Sequence, residues 1–218
     1  MHAGIEPEQL TGGTARRDEQ RDTIIRDLRL TDGRVYDNLG LEPVWKSHRT
    51  VLVSDGGGTF DPKLDKGPLL RLPRYASILG KQSLALRKRW IIASFKTGAM
   101  DGTYWGVGSH AAHFDPEARG YSGDIVDAVI SEMRTDLDAF SPAEAAVLEN
   151  HGYLLSDAAV RRHVPGLAGS NAAPLSIPHP AWMDEECVRA VLSRSHRIFL
   201  LGRWRVARGA SRALHRSP

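Results

Sequence analysis

The sequence feature that most constrains the fold is a short apolar run, residues 50–54, with the sequence Thr-Val-Leu-Val-Ser. It is rich in β-branched residues and ends at an Asp-Gly-Gly-Gly turn, residues 55–58. A run of this length bounded by turn residues predicts a strand in a sheet that is covered on both faces. We expect two further strands, one half-buried at 25–31 and one at 102–107.

Helical periodicity follows and separates these strands. The patterns predict helices over 78–95, 124–133, 141–163 and 184–206, with a loop over 165–182. Ser141, Pro142 and Glu144 form a helix start with a capping box. In the first of these helices, Arg87, Lys88 and Arg89 are expected mainly on the solvent side. Strands that alternate with helices predict an α/β fold with a sheet flanked by helices.

The number of strands is small for such a fold. Three strands accompany four helices, whereas a three-layer α/β/α domain normally has more strands. We therefore expect that part of the sheet lies outside these 218 residues. Along the chain we predict a flexible polar lead-in at 1–22, an α/β domain at 23–206 and a basic tail at 207–218.

Composition excludes several classes of protein. Apolar residues make up 41% and charged residues 25% of the chain, which excludes wholesale disorder and collagen-like or coiled-coil architectures. The formal net charge of +3 is too small to indicate nucleic-acid binding. The sequence lacks both a long apolar run and the apolar core of a secretory signal, which predicts a cytoplasmic protein. The single cysteine, Cys187, excludes an internal disulfide and a cysteine-based zinc site, and we expect a structural thiol there.

The most informative stretch for function covers residues 30–44, Leu-Thr-Asp-Gly-Arg-Val-Tyr-Asp-Asn-Leu-Gly-Leu-Glu-Pro-Val. A carboxylate at a strand end, followed by glycine, is well placed to act as a general base, because the strand fixes the backbone and glycine permits close approach. In this stretch the residues are Asp32 and Gly33. The Asp-Gly dipeptide alone favours a simple turn.

The longer string resembles the patatin-like phospholipase family, in which an Asp-Gly-Gly or Asp-Gly-Ala motif followed by Asp-Asn carries the catalytic aspartate. Other stretches are similar to the bacterial branch of that family, and together the resemblance covers residues 28–206. These stretches are 49–55, 86–90, 102–106, 135–144 and 149–153. These stretches indicate the bacterial branch of the family, but they do not indicate which residues are catalytic.

The resemblance implies a serine lipid acyl hydrolase with a Ser–Asp dyad and no cofactor. Asp32 would accept the serine proton, the serine would attack the acyl carbonyl, and water would hydrolyse the acyl-enzyme. Gly33 would shape the active-site loop. Arg34 replaces the small third residue of the motif, and a cation there would lower the pKa and the basicity of Asp32.

The second departure concerns the nucleophile. The family's serine lies in a G-x-S-x-G elbow well before the Asp motif, and the 218 residues contain no such string and no glycine-rich oxyanion loop. Ser54, Ser109 and Ser122 lack the flanking small residues that the tight elbow needs, and Ser54 is the best of them. We therefore expect the C-terminal part of a patatin-like domain that is inactive alone, with a partner chain as a potential source of the serine.

Two other groups are candidate sites. Asp55-Gly56-Gly57 is a literal match to the family motif without the following string, and a flexible turn is favoured over a phosphate cradle. His110, His113 and Asp115 are too loosely patterned for a metal site, so scattered loop histidines and no bound metal are expected.

The C-terminal segment 188–218 contains eight arginines and no acid. A helix whose apolar side covers the domain is the favoured interpretation, and a peripheral contact with an anionic membrane is the alternative. No nucleic-acid-binding module accompanies the charge. The expected substrate is a lipid or acyl ester. The alternative function is a non-catalytic interaction module or pseudoenzyme that pairs with a partner chain through an exposed sheet edge.

Overall fold

The computed structural model describes residues 34–57, 67, 71–133, 139–169, 175–193 and 195. The chain forms two compact units, Met1–Tyr36 and Asp37–Pro218. Only the last three residues of the first unit belong to the described part. The fold given below is therefore that of the second unit. The lead-in at 1–22, the strand at 25–31 and the tail at 207–218 remain predictions outside the described residues.

Helices alternate with two strands in the described part, which confirms a mixed α/β chain. In chain order the elements are α1 Arg34–Asp37, α2 Glu42–Trp45, β1 Thr50–Asp55, α3 Arg71–Lys96, β2 Asp101–Gly106, α4 Gly123–Ile125, α5 Pro142–His163, α6 Pro165–Ala168 and α7 Glu185–Leu192. Helix α4 continues as a π-helical segment at Val126–Ile130, and short 3₁₀ turns occupy Ala111–His113 and Pro180–Met183. The long helices and both strands lie close to where the sequence predicted them.

Strands β1 and β2 form a parallel pair, in register from Thr50 opposite Asp101 to Asp55 opposite Gly106. Helix α3 connects the end of one strand to the start of the other, as a parallel pair requires a crossover. The carboxyl ends of both strands therefore lie at the same edge of the sheet.

The expectation that β1 is covered on both faces is wrong for the described residues. Its side chains alternate between exposed and buried, and Leu52 is 46% exposed. Helix α5 packs on β2. Val51 and Val53 point to the other face, where they pack with Ile91 of α3. One face of β1 is thus core, and the other is open to solvent.

Gly102 explains how closely the sheet and α3 approach each other. Its φ is +148°, a region that L-residues rarely adopt. A Cβ added there would collide with the Val51 carbonyl oxygen and would lie 2.7 Å from the Phe95 ring. Only glycine fits at this position without displacing either the neighbouring strand or α3.

Helix α5 begins as predicted. The Ser141 hydroxyl accepts a hydrogen bond from the Glu144 amide (3.2 Å), and the Glu144 carboxylate accepts one from the Ser141 amide (2.6 Å). Val147, Leu154 and Leu155 are buried. These residues anchor α5 in the core.

A separate core cluster joins α4, its π-helical continuation, α5 and α7 through Ile125, Ile130, Val147, Val188 and Leu192.

Three expectations about the C-terminal third need correction. The predicted loop at 165–182 contains α6 and a 3₁₀ turn. Helix α7 ends at Leu192, with Ser193 as its C-cap, so the continuous helix predicted to 206 is wrong. Cys187 is exposed, which does not fit a buried structural thiol. Among the described residues, no helix combines the length and apolarity needed to cross a bilayer.

Candidate functional site

A cavity of about 570 Å³ opens at the carboxyl ends of β1 and β2, and we call it the Asp55 pocket. Its lining is contributed by the two strand ends, by the turn after β2 and by one side of α3. These residues are Asp55, Gly57, Ile78, Lys81, Gln82, Leu84, Ala85, Lys88, Tyr104, Gly106, Val107, Gly108 and Ser109. Ligands of parallel α/β sheets generally bind at this edge, because loops and helix ends converge there.

Asp55 is the buried carboxylate at the floor of this pocket. One oxygen, Oδ1, accepts the Gly57 amide at 2.9 Å. The other, Oδ2, accepts the Tyr104 hydroxyl at 2.7 Å and forms an ion pair with the Lys88 ammonium. Both carboxylate oxygens are therefore engaged, and the Asp-Gly-Gly segment forms a turn closed by its own aspartate, as the turn interpretation expected.

These contacts decide the acidity of the cluster. Burial alone raises the pKa of Asp55, but the hydrogen bonds from Lys88, Tyr104 and Gly57 outweigh it, and the pKa lies below its ordinary value. Burial, followed by the adjacent Asp55 carboxylate, raises the pKa of Tyr104. At neutral pH, Asp55 is thus an ionised acceptor and Tyr104 a protonated donor. A carboxylate with a lowered pKa and both oxygens occupied is a poor general base.

The expected solvent orientation of the basic run in α3 is only partly correct. Arg89 is exposed, whereas Arg87 and Lys88 reach carboxylates on neighbouring elements. Lys88 pairs with Asp55, and Arg87 Nη1 lies 3.1 Å from Asp37 Oδ1. The long, flexible side chains allow these two cations to turn back toward the sheet.

The second half of the 30–44 stretch, from Asp37 onward, is held in place by side-chain contacts. The Glu42 amide donates to Asp37 Oδ2 at 2.7 Å, which closes the turn into α2. That turn includes Gly40, whose φ of +61° favours glycine. Leu41 is buried against β1 and α3. The Asp37–Leu41 segment is therefore held to the α3–sheet layer by an ion pair, a capped turn and core packing.

The walls of the Asp55 pocket combine apolar and polar surface. Ile78, Leu84 and Ala85 of α3 face Val107 across the opening. Ser109 lies at the rim, where its hydroxyl accepts the Gly106 amide at 2.9 Å. An apolar cavity with a few oriented polar groups is typical of sites for small organic ligands.

The structure describes only some of the residues predicted for catalysis. Asp32 and Gly33 lie outside the described residues, and only the backbone of Arg34, the first residue of α1, is described. Ser54 is exposed on the face of β1 opposite to Asp55 and does not line the Asp55 pocket. The roles of these residues remain predictions.

The histidine pair also has an ordinary structural explanation. The rings of His110 and His113 stack with centroids 4.5 Å apart, and His110 Nε2 lies 3.0 Å from Asp127 Oδ1. In the part of the chain that the structure describes, no three His, Cys, Asp or Glu side chains are grouped to hold a metal ion.

Sequence reasoning missed Lys88, Tyr104 and Ser109 as parts of one site. Lys88 is 33 residues and Tyr104 49 residues from Asp55 along the chain. The available signal was the position of these residues in the sequence. Asp55 directly follows the strand predicted at 50–54, Gly106 lies near the end of the strand predicted at 102–107, and the carboxyl ends of parallel strands share an edge. Comparison with known proteins adds no assignment, since no family model, curated protein or solved structure matches the chain.

Proposed function

We propose that this chain is part of a patatin-like, three-layer serine hydrolase domain that cleaves acyl esters of lipids. It is the part that carries the catalytic aspartate. Asp32 is the base, Gly33 shapes the loop beside it, and a partner chain supplies the serine. The observation that carries the proposal is the Asp55 pocket, an apolar-walled cavity at the carboxyl ends of two parallel strands. This is where α/β enzymes bind substrates, and its volume suits part of an acyl chain.

The proposed chemistry is acyl transfer in two steps. Asp32 takes the proton of the serine hydroxyl as the serine oxygen bonds to the acyl carbonyl carbon, and the alcohol leaves with a proton. Water then attacks the acyl-enzyme and releases the fatty acid and the free serine. In this scheme Asp55 stays ionised and orients Lys88 and Tyr104, so Asp32 and not Asp55 is the base.

The test is labelling with a fluorophosphonate probe, read by intact mass. The full chain is isolated with the partner that it binds in its native host, and both chains are exposed to the probe. We expect an adduct on a serine of the partner, and we expect that adduct to be lost with Asp32→Asn. Asp124→Asn, at a surface ion pair with Arg189, is the matched control and should leave labelling unchanged.

Two outcomes contradict the proposal. Labelling of the partner that does not depend on Asp32 excludes Asp32 as the base. An Asp32-dependent adduct on Ser54 or Ser109 of the isolated chain excludes a partner as the source of the nucleophile.

A second function, a non-catalytic interaction module, is favoured by the open face of β1. Leu52, Trp105 and Tyr153 border a second cavity of about 400 Å³ between this face and α5. An exposed apolar side chain on a strand, such as Leu52, promotes aggregation unless another element covers it. Under this function the partner binds with unchanged affinity when Asp32 is replaced by asparagine, and Leu52→Lys weakens that binding.

A further inference from the structure

Helix α3 carries an exposed apolar stripe along its length. The stripe consists of Tyr75, Leu79, Leu86 and Trp90, whose exposure ranges from 41% to 71%. Their spacings of 4, 7 and 4 residues place them within about 60° of arc on an α-helix and over roughly 22 Å of its length. All four therefore lie on one side of the helix.

All the charged side chains of α3 are basic. The helix contains seven Lys and Arg residues and no Asp or Glu. Since the chain as a whole is +3, the remaining residues together carry a net charge of 3 − 7 = −4. The cations Arg87 and Lys88 are matched by Asp37 and Asp55. Arg89 and Lys96, which are exposed, place positive charge next to the apolar stripe.

Three of the basic residues of α3 lie along one side of the apolar stripe. At 100° per residue, Arg71, Arg89 and Lys96 fall on one flank, roughly 40–60° from the line through Tyr75. Arg89 and Lys96 are exposed. Trp90 at one end of the stripe packs edge-on against Trp45, with ring centroids 5.2 Å apart. Aromatic rings at both ends, leucines between them and basic residues along one side are typical of helices that lie in a membrane interface.

We propose that the α3 stripe docks on an anionic lipid surface. Lipid suits the stripe because it provides an apolar layer beneath a negative headgroup layer, which complements the leucines and the basic flank together. A second copy of the chain fits poorly, since α3 contains no Asp or Glu that could pair with Arg89 and Lys96 of the other copy. Ile78, Gln82 and Ala85, which line the Asp55 pocket, lie on the side of α3 next to the stripe, so the docked surface borders the pocket.

The test is co-sedimentation of the full chain with vesicles, which requires no hydrolysis and is independent of the proposed function. Phosphatidylcholine vesicles are compared with phosphatidylcholine vesicles that contain phosphatidylglycerol, at low and at high salt. We expect binding to the anionic vesicles only, weakened by salt because the exposed charges are screened. The double variant Arg89→Glu with Lys96→Glu should lower the binding constant at least roughly tenfold.

The apolar contribution is tested by Leu79→Ser with Leu86→Ser, which should lower the binding constant by roughly tenfold through lost apolar burial. Leu167→Ser and Arg162→Glu are matched controls, since Leu167 is 59% exposed on α6 and Arg162 is exposed on α5. Both controls should bind like the unmodified chain. Circular dichroism and the thermal midpoint verify that every variant is folded.

Three results overturn the proposal. The first is equal binding to neutral and anionic vesicles, or binding to neither. The second is binding that disappears with Arg208→Glu and Arg212→Glu in the basic tail but persists in both α3 double variants, which assigns the membrane contact to the tail. The third is concentration-dependent self-association that Leu86→Ser abolishes, which assigns the stripe to a protein interface.

Discussion

The side-chain amide of Asn150 pairs with the backbone of His179 in both directions. The His179 amide donates to Asn150 Oδ1 at 2.9 Å, and Asn150 Nδ2 donates to the His179 carbonyl at 2.8 Å. Asn150 is fully buried within α5. The loop that leads to α7 is thus attached to α5 by two hydrogen bonds, and the Asn150 side chain that makes both of them is shielded from solvent.

Replacing Asn150 by alanine should therefore destabilise the protein strongly. The change removes both bonds, leaves a cavity and deprives two backbone groups of their partners, which together should lower the free energy of unfolding by about 3 kcal/mol. Urea denaturation followed by circular dichroism measures this value. Gln82→Ala, at an exposed amide on α3, should change it by less than about 0.5 kcal/mol. Equal effects of the two changes would contradict a structural role for the Asn150–His179 pair.

The contact of Gly102 with β1 and α3 predicts opposite effects for two glycine-to-alanine changes. Gly102→Ala forces a methyl group against the Val51 carbonyl and the Phe95 ring and should lower stability by about 3 kcal/mol or more. Gly152→Ala, in the interior of α5 where a Cβ meets nothing within 4 Å, should raise stability by about 0.5–1 kcal/mol. Thermal denaturation distinguishes them by the direction in which the midpoint moves. A stable Gly102→Ala protein is incompatible with the described β1–β2 packing.

Asp55 should contribute more to stability than an exposed carboxylate. Asp55→Asn retains an acceptor for the Gly57 amide but leaves the Lys88 ammonium without its charge partner, which should lower the free energy of unfolding by about 2 kcal/mol. Asp157→Asn, which breaks an i,i+4 surface pair with Arg161, should lower it by about 0.5 kcal/mol or less. Chemical denaturation of both variants at neutral pH provides the comparison, and a ranking in the other order excludes Asp55 as an anchor.

His151 makes stability depend on mild acidification. Burial is the main cause that lowers its pKa below the ordinary 6.5, and its Nε2 lies 2.8 Å from the Val107 carbonyl oxygen. Below pH 6.5 the unfolded chain binds a proton at this residue that the folded chain resists. Stability should therefore fall as pH drops from 6.5 toward the lower folded-state pKa, by at most about 1.4 kcal/mol per pH unit.

The measurement is urea unfolding at neutral pH and near pH 5.5 for the unmodified chain and for His151→Gln. Glutamine keeps an N–H donor but does not titrate in this range. The variant should lose part of the pH dependence, although it is less stable at neutral pH. An unchanged slope would assign the pH dependence to other groups.

Local signals in the sequence were sufficient for the main elements. The β-branched run marked β1, and Ser141, Pro142 and Glu144 marked the start of α5, because capping and alternation depend on neighbouring residues only. The end of α7 at Leu192 was missed, since the apolar and basic pattern of the sequence continues beyond it. The exposure of Leu52 was also missed, since it depends on where α5 packs.

The candidate site was less accessible to prediction, because its groups are distant along the chain. Lys88 reaches Asp55 only after α3 crosses back over the sheet, and Tyr104 reaches it only through parallel pairing. Periodicity placed Lys88 toward solvent, since it ignores the length of a lysine side chain. The resemblance directed attention to Asp32, whereas the described cavity is built around Asp55.

The parallel pairing of Thr50 with Asp101 has a consequence for the order of events during synthesis. The two residues are 101 − 50 = 51 positions apart, so pairing of the strands closes a long loop. The conformational entropy of that loop must be lost before any contact between the strands forms. On the ribosome, β1 emerges well before its partner exists and exposes a row of unpaired amide and carbonyl groups. Until residue 106 has left the exit tunnel, α2 and α3 are the described helices available to shield the apolar face of β1.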